Sequence, residues 1–173
     1  MPWPRKEPRV LIVVHPGSAC GSANFNIGKS AARSAREALV ATLDRWTGPV
    51  VVIDGTLSDE LPDYPRLDRA IKGALKRAEE ARLLSARMIG DDPDQVDVVK
   101  TLARQKFWSR YGVSCVVTGA WHEPESNGGC VGSVVQALRE IGVEAKASDC
   151  ALVPDWIEEE SPEPDSPGAP RPA

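Results

Sequence analysis

Runs of apolar, largely β-branched residues alternate along this chain with segments whose apolar positions recur every three to four residues. That alternation is the pattern of a parallel sheet covered on both faces: a strand buried on two sides reads as one apolar run, and each connecting helix needs a single buried stripe. The first run is Val10–Val14. A helix is predicted from about Ser30 to Trp46, with Ala32, Ala35, Leu39, Thr42, Leu43 and Trp46 on its buried side and Gly48-Pro49 as its stop signal. A second strand covers Val50–Ile53, and Leu67, Ala70, Ile71, Ala74, Leu75 and Ala78 mark a second helix. A fainter strand near Ser85–Ile89 precedes a helix from about Asp94 to Tyr111, closed by Gly112. The clearest strand, Val113–Thr118, leads through a long loop into a helix over Val131–Ile141, with stripe Val131, Val134, Val135 and Leu138 and with Gly142 at its end. A last strand covers Val143–Ser148. The expected fold is a three-layer α/β/α domain with a mostly parallel five-stranded sheet in strand order 3-2-1-4-5.

Residues 10–153 form the expected single domain, after an N-terminal extension at 1–9. From Pro154 onward the segment contains six prolines and no apolar period, so it buries too little to offset its ordering entropy. Residues 154–173 are therefore expected to be a disordered, acidic, proline-rich tail. A formal net charge of -4 gives no general attraction to phosphate backbones or anionic membranes, which argues against nucleic acid as a partner. Val10–Val14 is too short for a signal peptide or a membrane span. The four cysteines, Cys20, Cys115, Cys130 and Cys150, show no paired spacing, and a cytoplasmic protein keeps them reduced. The expected partner is a small-molecule ligand, with no membrane, no metal and no cofactor; self-association into a homo-oligomer is left open.

In open parallel sheets ligands bind beyond the carboxyl ends of the strands, where the winding reverses. Strand order 3-2-1-4-5 places the loop after strand one opposite the loop after strand four. The first contains His15, Gly17, Ser18, Cys20, Asn24 and Phe25. The second contains Trp121, His122, Glu123, Gly128, Gly129 and Cys130, so the two loops hold both histidines of the chain. Cys130 is the leading candidate because Gly128-Gly129 precede it and a helix starts directly after it. Backbone N–H groups and the dipole at a helix N-terminus stabilise a thiolate and can hold an oxyanion, while the glycines admit a close approach of substrate. The plainer reading of Cys130 is a small residue that fits a tight turn. His15 is a candidate general base, and His122 with Glu123 is the competing one; either histidine can equally be a packed residue bonded to backbone.

The residues Val117-Thr118-Gly119, Gly129-Cys130-Val131-Gly132-Ser133 and Ala137 through Gly142, with a strand ending Ser148-Asp149, resemble the C-terminal motif of the isochorismatase-like cysteine hydrolases. The resemblance implies the α/β fold already read and makes Cys130 the nucleophile of an Asp–Lys–Cys triad. The chain departs from the family at the other two positions. His15 stands where the Asp at the end of strand one is expected, and no Lys follows strand three, where Arg87 and the remote Lys100 are the nearest cations. The loop from Gly119 to Cys130 is also longer than the family's.

Two further patterns are present. Ala23 through Ser30 fits a relaxed phosphate-loop pattern, with Val50–Asp54 as a Walker-B-like strand. It begins well beyond the end of strand one, however, and Ile27 fills a place where the backbone must curl around phosphate. Lys29 and Ser30 open a helix beside the crevice, and with Asp54 they are candidate substrate-binding residues. A zinc site from His15, Cys20, His122 and Cys130 is chemically sound in ligand type, but its spacing matches no known zinc pattern. The expected function is cysteine-dependent hydrolysis of a small molecule. The alternatives are a catalytically silent ligand-binding or interaction module of the same fold, and a nucleotide-binding protein with a degenerate phosphate loop.

Overall fold

The computed structural model describes residues 9–19, 29–55, 64–90, 94–104, 113–119, 126 and 128–148. Its strands are β1 (Arg9–Val14), β2 (Val50–Asp54), β3 (Ser85–Ile89), β4 (Ser114–Gly119) and β5 (Glu144–Ala147). The helices are α1 (Lys29–Arg45), α2 (Tyr64–Glu80), α3 (Asp94–Ala103) and α4 (Gly129–Glu140), with a short 3-10 turn at Pro16–Ala19. The five strands form one sheet in the order β3-β2-β1-β4-β5. Every pairing in it is parallel, so the sheet is wholly rather than mostly parallel.

Central β1 explains why its sequence is a continuous apolar run. Leu11 and Val13 pack with Leu39, Leu43, Leu67 and Ile71 under α1 and α2. Val10, Ile12 and Val14 pack with Val99, Val131, Val134 and Leu138 under α3 and α4. All five strand residues are fully buried, and each such aliphatic side chain contributes about 1.5–3 kcal/mol of transfer free energy. Edge strand β3 is only half-buried and ends in Ile89, which is 69% exposed; one side of it has no neighbouring strand, which is why its sequence signal is faint.

The helix ends follow from local chemistry. At the end of α1, Arg77 of α2 donates from Nε to the Trp46 carbonyl at 3.1 Å and from Nη2 to the Leu43 carbonyl. A cation there satisfies carbonyls that the helix leaves unpaired and opposes its dipole. Helix α4 closes as its sequence predicts: Gly142 has φ +81, its N–H donates to Arg139 at 3.0 Å, and Val143 N–H donates to Leu138 at 2.9 Å. These two bonds are the Schellman arrangement, which needs a left-handed residue at Gly142.

The third helix is described as far as Ala103, with Arg104 continuing its last turn; the remainder expected up to Tyr111 lies outside the described residues. So do the extension before Arg9, most of the phosphate-loop pattern and the tail from Pro154. Among the described residues no helix is long and apolar enough to cross a membrane.

Candidate functional site

Strands β1 and β4 end side by side, with Val14 opposite Gly119 in the register. The fit there is close: Gly119 has φ +127, and a Cβ built on it would lie 1.9 Å from the Val14 carbonyl oxygen. Glycine is therefore demanded at the point where the two candidate loops leave the sheet.

His15 follows β1 directly, is 8% exposed, and holds a left-handed backbone at φ 48. That conformation costs a residue with a side chain about 1–2 kcal/mol. Two hydrogen bonds hold it in place. The His15 N–H donates to the Ile53 carbonyl at 2.7 Å, and the ring Nε2 lies 2.6 Å from the Gly90 carbonyl oxygen. A carbonyl only accepts, so Nε2 carries the hydrogen. Gly90 in turn donates its N–H to the Asp54 carbonyl at 2.9 Å. His15 thus binds together the carboxyl ends of β1, β2 and β3.

Beside this knot, on the α2 side of the sheet, lies a charged chain. Arg87 of β3 donates from Nε to Asp54 Oδ2 at 2.7 Å, and its Nη1 meets Asp68 Oδ1 of α2 at 2.6 Å. Asp68 also pairs with Lys72 at 2.7 Å, one helical turn on. Burial raises the Asp68 carboxyl, but the hydrogen bonds and charges of Lys72 and Arg87 outweigh it and hold that carboxyl below its usual range. Arg87 is thus engaged by two carboxylates.

Cys130 is the second residue of α4, half-buried and packed against the core on the α3–α4 side. Gly128 caps the helix without a side-chain bond, and Gly129 has φ 76, so the chain enters α4 through two residues that leave its first turn unscreened by side chains. Ser133 Oγ donates to the Gly129 carbonyl at 2.8 Å. The helix thus begins at Gly129, so that Cys130 lies within its first turn rather than directly before it.

His15 and Cys130 follow neighbouring strands, β1 and β4. The imidazole Nε2 reaches over β2 toward the end of β3, whereas α4 follows β4 on the other side. Nε2 is therefore committed to Gly90 rather than offered to the thiol. Cys115 lies in β4, is 1% exposed, and burial pushes its thiol up to about 12. Gly17 is buried, and Ser18 shares its 3-10 turn; Lys29 and Ser30 are the first two residues of α1. Cys20, Asn24, Phe25, Trp121, His122 and Glu123 lie outside the described residues. Among the described residues no three His, Cys, Asp or Glu side chains gather as metal ligands.

Sequence reasoning missed the Gly90 carbonyl, because a backbone acceptor carries no residue signature. The Asp68 partner was findable, since Asp68 and Lys72 stand at i, i+4 on the predicted second helix. Compared with models of known protein families, with curated proteins and with solved structures, the chain has no significant match.

Proposed function

We propose that this protein is a cysteine-dependent hydrolase acting on a small molecule, in the manner of the isochorismatase-like hydrolases, with Cys130 as nucleophile. The observation that carries the reading is the position of Cys130, second in α4 behind Gly128-Gly129 and beside the paired ends of β1 and β4. A thiol there gains thiolate character from the helix N-terminus, and the same N–H groups suit a developing oxyanion. In the reaction Cys130 Sγ gives its proton to a base and attacks a carbonyl carbon. The tetrahedral intermediate collapses to a thioester as the leaving amine or alcohol takes the proton. Water, deprotonated by the same base, then cleaves the thioester and restores the thiol.

His122, flanked by Glu123 in the segment between β4 and α4, is the proton carrier in this reading, because His15 Nε2 is held by Gly90. His15 is a positioning residue that fixes the strand ends forming one wall of the crevice. A catalytically silent ligand-binding module is the second reading. It is favoured by the engagement of Arg87 with Asp54 and Asp68, so that Arg87 is not a free cationic substitute for the family's lysine.

Incubation with a panel of activated esters and amides, followed by peptide mass spectrometry, separates the two. The hydrolase reading expects an acyl adduct on Cys130 that decays with product release, and no turnover in Cys130→Ala. Turnover unchanged by Cys130→Ala overturns Cys130 as the nucleophile, and no adduct and no turnover with any acyl donor favours the binding module.

A further inference from the structure

A second concavity lies at the opposite end of the sheet from Cys130. It is a groove of about 390 Å³ lined by Arg9, Ser114, Val116, Arg139, Glu144 and Lys146, together with Cys115 and Ala145. Arg9, Ser114 and Glu144 are the first residues of their strands and stand side by side in register, while Val116 faces Lys146 two positions on. Residues two apart on a strand share a face, so these side chains project together from the α1 side of the sheet. Arg139 comes from the last turn of α4, which packs on the other face of the sheet, and donates from Nε to the Ala145 carbonyl at 2.9 Å around the end of the sheet. That bond orients its guanidinium at the groove while leaving the terminal nitrogens for another acceptor.

An unpaired cation on a protein surface is commonplace; three around one concavity are not, because each raises the cost of the others. Here neither Arg9 nor Lys146 makes an ion pair among the described residues, and Arg139 bonds only to backbone. Glu144 offsets one of the three charges, which leaves the groove with an excess of two positive charges in a chain whose formal net charge is -4. Its volume falls within the roughly 300–1,000 Å³ range of small-molecule sites. Arginine forks and a serine hydroxyl are donors suited to a tetrahedral oxyanion.

We propose that this groove binds the dianionic phosphate group of a small molecule, held by Arg9, Arg139 and Lys146 with Ser114 as a hydroxyl donor. The site is independent of Cys130: six-residue β4 separates the two ends of the sheet by on the order of 16–20 Å. It also shares no residue with the phosphate-loop pattern, whose described members Lys29 and Ser30 open α1.

The test is an isotope-edited NMR titration of the full chain with inorganic phosphate at slightly alkaline pH. Ionic strength is held constant with chloride, and acetate serves as a monoanionic control. Saturable shifts of the Ser114, Glu144 and Lys146 amides are expected with phosphate, with much weaker effects from acetate and none beyond the baseline from chloride. Lys146→Glu and Arg9→Gln change exposed side chains that make no ion pair among the described residues, so both fold, and each should weaken phosphate by about tenfold or more. Shifts that do not saturate, that chloride reproduces, or that persist undiminished in both variants overturn the site. Acetate binding as tight as phosphate overturns the assignment to a dianion.

Discussion

The imidazole of His15 donates to the carbonyl of Gly90 at 2.6 Å, joining the end of β1 to the end of β3 across the intervening strand β2. The bond fixes where the first crevice loop starts, and it removes Nε2 from the chemistry that a free histidine at this place would offer. The left-handed backbone at φ 48 is held by this bond and by the one from the His15 N–H to Ile53.

Substitution of His15 separates strain from bonding. His15→Ala loses the Gly90 bond and keeps the unfavourable φ, so it should destabilise by about 2–3 kcal/mol. His15→Gly loses the same bond but relieves the strain, and should be more stable than His15→Ala by about 1 kcal/mol. Urea unfolding of the two variants measures the difference directly. Equal stabilities would mean that the left-handed backbone stores no strain at this position.

The Arg87 chain supplies a pH dependence. The folded-state pKa of Asp68 is lowered, so its ionised form is favoured by folding. The stabilisation is fully present above the unfolded carboxylate value of about 4 and is lost as pH falls through the lower folded value. Asp68→Asn should therefore be less stable than wild type at neutral pH, and the gap should narrow as pH falls below about 4. Arg87→Ala, which leaves Asp54 buried without its cation, should cost more, about 3 kcal/mol at neutral pH. Thermal unfolding across an acid series reads both; a gap for Asp68→Asn that stays constant with pH would contradict the assignment.

Much of this architecture was legible because its causes are local. Val10–Val14 and Val50–Ile53 are continuous apolar runs since both of their faces are covered, and Gly142 ends α4 because a left-handed residue is needed there. The strand order expected for alternating strands and helices is the one observed, and the rule on reversals of winding then selected the two loops. The inner wiring of the crevice was not legible. The His15 acceptor is a backbone carbonyl 75 residues away in sequence, and the partners of Arg87 depend on β2, β3 and α2 already being assembled. The groove at the amino end escaped notice for a related reason: Arg9 and Lys146 meet only through strand register and Arg139 only through the packing of α4, and a rule that directs attention to carboxyl ends passes over it.

Gly119 tests the closeness of β1 and β4 at the crevice. A methyl group there would sit 1.9 Å from the Val14 carbonyl oxygen at a backbone φ of +127, so both clash and strain oppose it. Gly119→Ala should destabilise by more than about 3 kcal/mol, with loss of folded protein at moderate urea. A control, Ser114→Ala, changes a half-buried residue at the other end of the same strand and should cost less than about 1 kcal/mol. Similar losses from the two would show that β4 can shift away from Val14 without penalty.

Thiol reactivity decides whether the entry to α4 does more than turn the chain. Cys130 and Cys115 differ in every relevant respect: Cys130 is half-buried at a helix N-terminus, while Cys115 is buried in a strand, with burial pushing its thiol up to about 12. Limited alkylation over a pH series, with each site read by peptide mass spectrometry, should show Cys130 reacting first and titrating below the free-cysteine value of about 8.5. Cys115 should stay unmodified in the folded protein throughout that range. The partner of the thiolate follows from the variants. Removing a cation-capable neighbour disfavours a charged sulfur, so His122→Ala should raise the Cys130 value. His15→Ala should leave it nearly unchanged, since the His15 Nε2 is bonded to Gly90. A rise on His15→Ala and none on His122→Ala would exchange their roles and require the imidazole to leave Gly90 during the reaction. Equal alkylation of Cys130 and Cys115 would end the nucleophile hypothesis and leave the ligand-binding module as the better account of this fold.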